Sequence, residues 1–195
     1  MCQLRDLEQQ SPDASHLLSV LAFFDSESIP IEMLTIGAKA MSESQRPPSH
    51  AQVKRQPFVL MQTGKLLRQG GTTKAQTNQL HTSSVVPPTS AALLAVIQSP
   101  IDLRKAITHL QNLSLVAYQH DAESLTLRIH DLIQLVVLEK TRKSHAHLEL
   151  FKFAVGLACN AFIQIEDHSL PEWWPQCELL IPHIQSLTLQ QAILK

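Results

Sequence analysis

The sequence predicts a mainly α chain with one small β-hairpin. The first observation is a change of period between Leu113 and Leu138. Leu113 to His120 is a β-branched and aromatic run, and Asp121 to Ser124 is a polar turn. Leu125, Leu127 and Ile129 then alternate with Thr126 and Arg128, the period of a half-buried strand. From His130-Asp131 onward, Leu132, Ile133, Val136 and Val137 fall at helical spacing instead. The second strand of the hairpin therefore runs straight into a helix. His130 and Asp131 sit at the junction, where a helix start leaves backbone N–H groups without partners. The second observation is that apolar spacings of three and four recur on both sides of this stretch, each run opened by helix-start residues.

Ser11-Pro12-Asp13 supplies an N-cap, a proline at the first helical position and an acid in the first turn. Ala14, Leu17, Leu18, Leu21 and Phe24 continue at helical spacing, and Asp25 to Ser28 is a turn. Pro30 opens a second short helix with Met33, Leu34 and Ile36 apolar, and Gly37 is expected to end it. On period alone the pair is an αα-hairpin. Ser99-Pro100 with Asp102 repeats the helix-start chemistry, and Leu103, Ala106, Ile107, Leu110 and Leu113 make one stripe. After the hairpin, a helix is expected from Asp131 to about Arg142, with Lys140, Arg142 and Lys143 at its end as the dipole prefers. Another is expected from His145 to about Glu166 on Leu148, Phe151, Ala154, Val155, Ala158, Phe162 and Ile165. His145 and His147 point to different faces of such a helix, so they read as polar surface rather than as a metal pair. Trp173-Trp174-Pro175 should break the chain, the tryptophans serving as packing anchors. Gln176 to Leu187 resumes as a helix, although Pro182 lies inside it.

Residues 41–90 differ. Ser, Thr and Gln dominate, five prolines and three glycines interrupt, Phe58 is the single aromatic, and six basic residues face one acid, Glu43. Such text cannot bury enough apolar surface to offset its ordering entropy. Residues 41–87 are therefore expected to be a disordered insertion. An unspliced intron in the gene model would leave the same text. Gly64-Lys65 is not a phosphate-binding loop, which needs a glycine five positions earlier and Ser or Thr after the lysine. Val59 and Leu66 stand there.

Two motifs carry a family resemblance. Ile129-His130-Asp131-Leu132-Ile133-Gln134, directly after the hairpin and its Leu115-Val116 strand, resembles the Met-His-Asp motif of STAND-type NTPases. There the motif closes the winged-helix subdomain that follows an NB-ARC nucleotide-binding domain. Trp174-Pro175-Gln176-Cys177-Glu178, followed by Leu180, Pro182 and His183, is similar to the segment leading into the first TPR helices of fungal, NLR-like members. The Leu17 to Phe24 run followed by Ile29-Pro30 resembles their first two winged-helix helices. The resemblance covers roughly residues 4–38 and 90–187. It implies a winged-helix domain over residues 1–143, carrying the insertion, and the start of a TPR-like array over residues 144–195. The end at Lys195 then reads as a truncated gene model. It also implies a non-catalytic role in signal transduction through protein–protein interaction. The chain would relay the nucleotide state of an NB-ARC domain, in cis or in trans, to TPR repeats or protein ligands. ADP or ATP would be held by that upstream domain. His130 is the one site residue the resemblance carries over, as the group reaching the ADP β-phosphate in the inactive state. From the residues alone, His130 serves equally as a helix cap or as a packing residue at the hairpin base.

Other classes are disfavoured. The formal net charge of −1 exerts little pull on nucleic acid or anionic membranes. A winged-helix nucleic-acid binder is the alternative, with Arg104, Lys105, His109, Gln111 and Asn112 as the face entering the groove. The same face reads as an ordinary solvated one. Cys2, Cys159 and Cys177 are far apart and odd in number, which suits a reducing compartment and a cytoplasmic location rather than a disulfide scaffold. The start carries no signal-peptide pattern, and no apolar run is long enough to span a membrane. No residues stand at the spacing of a nucleophile elbow or a metal motif, so the chain is not expected to be an enzyme or to bind a metal or cofactor of its own.

Overall fold

The computed structural model describes residues 2–44, 88–120, 125–144, 146–165 and 170–193. In chain order these form α1 (Cys2–Gln10), α2 (Pro12–Leu21), β1 (Ile29–Pro30), α3 (Ile31–Ser44), α4 (Pro88–Gln98), α5 (Pro100–Asn112), β2 (Val116–His120), β3 (Leu125–Ile129), α6 (Asp131–Arg142), α7 (His147–Ile163) and α8 (Trp174–Ile193). A single 3-10 turn, Pro171–Trp173, leads into α8. The chain is mainly helical with a small antiparallel sheet, as the periods predict. Residues 45–87 of the expected insertion lie outside the described residues. Residues 41–44 are the last turn of α3.

The sheet has three strands in the order β1-β3-β2, one more than the expected hairpin. Val116 pairs with Ile129 and His120 with Leu125 across the hairpin, while Ile29 pairs with Leu127 and Pro30 with Thr126 on the other side. A proline lacks an N–H, so an edge strand is where it fits. The sheet's inner face is tightly covered: Ile29, Leu127 and Ile129 are fully buried.

The turn from α5 into β2 is fixed by Ser114, which adopts a left-handed φ of 56°. Its N–H donates to the Gln111 carbonyl at 2.8 Å, and the Leu115 N–H donates to the Leu110 carbonyl at 2.9 Å. These paired bonds satisfy carbonyls that the helix end would leave open, and Leu110 and Leu115 are both buried beneath them. At the opposite end of α5, Ser99 acts as the expected cap, its hydroxyl accepting from the Asp102 N–H at 3.4 Å. Ser11, by contrast, caps nothing with its side chain. Its residue follows α1 directly, and its own N–H donates to the Leu7 carbonyl.

Gly37 does not end α3. The helix runs on to Ser44, and at Gly37 it lies directly against the α7 backbone. A Cβ at Gly37 would overlap the Leu157 carbonyl oxygen and lie 2.9 Å from that residue's carbonyl carbon and Cα. Glycine is required there by approach, not by a left-handed turn. Ala38, Ala40, Ala154, Ala158 and Ala161, all buried, keep the rest of this crossing close. Helices on both sides of residue 143 share the resulting core, which is centred on Leu17, Leu18, Leu21, Phe23, Phe24, Leu34 and Leu157. The helix α8 continues through Pro182. Pro182 and Glu178 both lie on its exposed side, where water can meet the carbonyl that a proline leaves unpaired.

Candidate functional site around His130

The alternating strand β3 ends at Ile129 because the next residue begins a helix. His130 is extended, with φ −68° and ψ 132°, and its own carbonyl accepts from the Ile133 and Gln134 N–H groups at 2.8 and 3.0 Å. Its side chain caps α6: Nδ1 accepts from the Leu132 N–H at 3.2 Å. An imidazole nitrogen that accepts carries no proton, so the neutral ring holds its proton on Nε2. The ring is exposed, and Nε2 has no partner among the described residues. The result is one hydrogen-bond donor held at a helix N-terminus, with the cap fixing the ring. Leu132 and Leu135, about two-thirds exposed, lie on the same helix just beyond it.

Asp131 does not project as a bare first-turn acid. Its Oδ1 accepts from the Ser26 hydroxyl at 2.7 Å. Ser26 belongs to the stretch between α2 and β1, read from the sequence merely as a turn. In the structure, the polar groups of residues 22–28 are bonded from β3, α6 and α8. From β3 and α6, Ile129 N–H donates to the Ser26 carbonyl at 2.9 Å, and Gln134 Nε2 donates to the Ala22 and Phe24 carbonyls at 3.1 and 2.7 Å. Arg128 forms an ion pair with Glu27 at 3.1 Å. From α8, the Ser186 hydroxyl donates to the Phe23 carbonyl at 3.0 Å. His183 takes the Asp25 N–H on Nδ1 at 3.2 Å and meets the Ser28 carbonyl with Nε2 at 3.0 Å. From α7, the rings of His147 and Phe151 pack on Phe23, centroids 5.4 and 5.6 Å away.

Sequence reasoning placed His130 correctly at the junction and held a helix cap as one of its readings, which Nδ1 supplies. It missed Gln134, His183 and Ser186 as loop ligands, because their partners lie more than a hundred residues away. It also misread His147. That residue is the first of α7 and is buried against Phe23, not polar surface. His145 lies outside the described residues. Trp173 packs half-buried on the core as expected, but Trp174 is half-exposed and anchors little. On α5, Arg104 and Lys105 are exposed, His109 is half-buried, and Lys105 is engaged with Asp102 at 3.4 Å.

Among the described residues, no group of three or more His, Cys, Asp or Glu side chains is placed to hold a metal ion. No described helix is long and apolar enough to cross a membrane. Comparison with known proteins returned nothing: no family model, no curated protein and no solved structure matches the chain.

Proposed function

We propose that the chain is a regulatory and interaction module without catalysis of its own, the winged-helix part of a fungal STAND-type signalling NTPase. In this reading α2, α3 and α5 with the three-stranded sheet make the winged helix, and α7 and α8 begin a TPR-like array. The observation that supports it best is His130. A capped imidazole with a free Nε2–H, fixed at a helix N-terminus, suits a phosphate oxygen presented by a neighbouring body. The exposed Leu132 and Leu135 beside it suit an apolar contact with the same body. That body would be an NB-ARC domain holding ADP, located in the cytoplasm with this chain.

The test is ADP retention in the protein that joins this chain to an NB-ARC domain. His130→Ala should weaken ADP binding roughly tenfold to hundredfold, the equivalent of one hydrogen bond to a charged group at about 1.5–3 kcal/mol. It should also raise basal signalling. The isolated chain should bind no nucleotide measurably, since one histidine offers too few contacts. Unchanged ADP retention in the variant would reduce His130 to a helix cap. Binding of DNA by the isolated chain, weakening steeply with salt, would replace this reading by a nucleic-acid-binding one through Arg104 and Lys105.

A further inference from the structure

We propose that the Asp25–Ser28 turn is an acid-released latch, held to α8 by the neutral buried His183 and let go when that ring gains a proton. The inference does not depend on the function proposed above.

The geometry at His183 allows one protonation state. The residue is 1% exposed. Its Nδ1 must accept from the Asp25 N–H, which leaves the proton on Nε2 to be donated to the Ser28 carbonyl. The Phe24 ring stands edge-on beside it at 5.8 Å. A second proton, on Nδ1, would set two donors against each other at 3.2 Å. At His147 the conflict is similar. His147 packs its ring on Phe23 from α7, and its Nδ1 is buried without a partner. A proton there would be a buried donor without an acceptor.

The charged surroundings do not rescue either ion. Burial lowers the His183 pKa below its ordinary 6.5; the Asp25 carboxylate and the Ser28 carbonyl oppose that shift without cancelling it. Burial also lowers the pKa of His147, and the Arg142 guanidinium, from α6, lowers it further. The other charged groups of this region are engaged elsewhere, Glu27 with Arg128 and Asp131 with Ser26. The sign follows. His183 binds a proton less readily folded than unfolded, so the closed turn is fully stable above about pH 6.5 and is weakened as pH falls toward the lowered value. Phe23 and Phe24, beside the turn, stay in a core that rests on apolar packing. Acid should therefore open the turn first, parting α8 from the segment that braces Asp131.

Amide hydrogen exchange on the whole chain tests this. The reporters are the Asp25 amide for the latch and the interior amides of α3 and α7 for the core. Between about pH 7.5 and about pH 5.5, either side of the ordinary histidine value, the Asp25 protection factor should fall, by up to about tenfold, the effect of one pH unit of linkage. Core protection should stay above that of Asp25 at both values, since global opening carries the same linkage from a higher starting stability. In His183→Phe the Asp25 amide should be poorly protected at both values, with no acid step. Asp25→Asn keeps the fold but removes the carboxylate that favours the His183 ion, so the step should move to lower pH. Three results would overturn the proposal. They are protection at Asp25 that does not change with pH, core amides no better protected than Asp25 in acid, and an acid midpoint that Asp25→Asn leaves unmoved.

Discussion

Gly37 and Gly156 sit in facing helices, and the same substitution at each should have opposite effects. At Gly37 the added methyl meets backbone: it overlaps the Leu157 carbonyl oxygen and lies 2.9 Å from the carbonyl carbon and Cα. Neither atom can swing away. Ordinary carbon contacts need about 3.5–4.0 Å, so α3 and α7 would have to part by roughly 1 Å. That separation loosens the buried alanine contacts along the whole crossing. Overpacking of this kind costs about 1–3 kcal/mol, and the upper end applies where nothing flexible can yield. Alanine returns about 1 kcal/mol as the better helix former. Gly37→Ala should thus lose about 2 kcal/mol net. At Gly156 the methyl would meet only the end of Met41, Cε at 3.0 Å and Sδ at 3.3 Å. A thioether has rotamers to spare, so most of the propensity gain survives and Gly156→Ala should be neutral or up to about 1 kcal/mol more stable. Urea unfolding followed by helical ellipticity would read the difference of about 3 kcal/mol between the two variants, or some 6–12 °C in Tm for a chain of this size. A Gly37→Ala protein at least as stable as Gly156→Ala would show that the approach of α3 to α7 is not what demands glycine.

Ser114 pays backbone strain at its left-handed φ, so Ser114→Gly should raise stability by roughly 1 kcal/mol; thermal unfolding would show it as a gain of a few degrees, and a loss would mean the hydroxyl matters more than the backbone. Gln134→Ala removes both donors from the Ala22 and Phe24 carbonyls, and leaving buried acceptors unmet should lower stability by about 1–3 kcal/mol. Gln134→Leu should not restore it, since the deficit lies in the carbonyls rather than in volume; chemical denaturation of the two variants would separate these explanations.

The parts legible in the sequence are those whose pattern is local. Alternation at Leu125 to Ile129, followed at once by helical spacing, marked β3 and the first residue of α6. Ser99-Pro100 marked the start of α5. Where one residue type serves two physical ends, the sequence misled. Gly37 has the look of a C-cap because a glycine needed for a left-handed turn and one needed for close helix approach read alike. The strand β1 is two residues long, and Pro30, read as a helix opener, is also its edge residue. The helix α4 passed unread because its Ala91 to Ile97 run is apolar all round, without the polar face that reveals a period. At the candidate site, the position of His130 was local and visible. Its tautomer was not, because it depends on which nitrogen meets the Leu132 N–H. The loop bonds of Gln134, His183 and Ser186 depend on contacts across 110 to 163 residues.

Those long-range bonds decide how α6 and α8 communicate. Among the described residues, the side-chain hydrogen bond between the two helices is an exposed one, Arg142 to Gln190 at 3.2 Å. Exposed polar pairs of this kind contribute about 0–1 kcal/mol. The loop is a stronger route. Its Phe23 and Ser28 carbonyls and its Asp25 N–H are satisfied by α8, while its Ala22, Phe24 and Ser26 carbonyls are satisfied by β3 and α6. Leaving any one buried group unmet costs about 1–3 kcal/mol. A force that draws α8 away therefore first strands three polar groups of the loop. The loop can follow α8 only by giving up Ser26, whose carbonyl and hydroxyl hold Ile129 and Asp131 on either side of His130. The ring that caps α6 is thus placed where displacement at the C-terminal helix is felt, one residue from both of the bonds that would break.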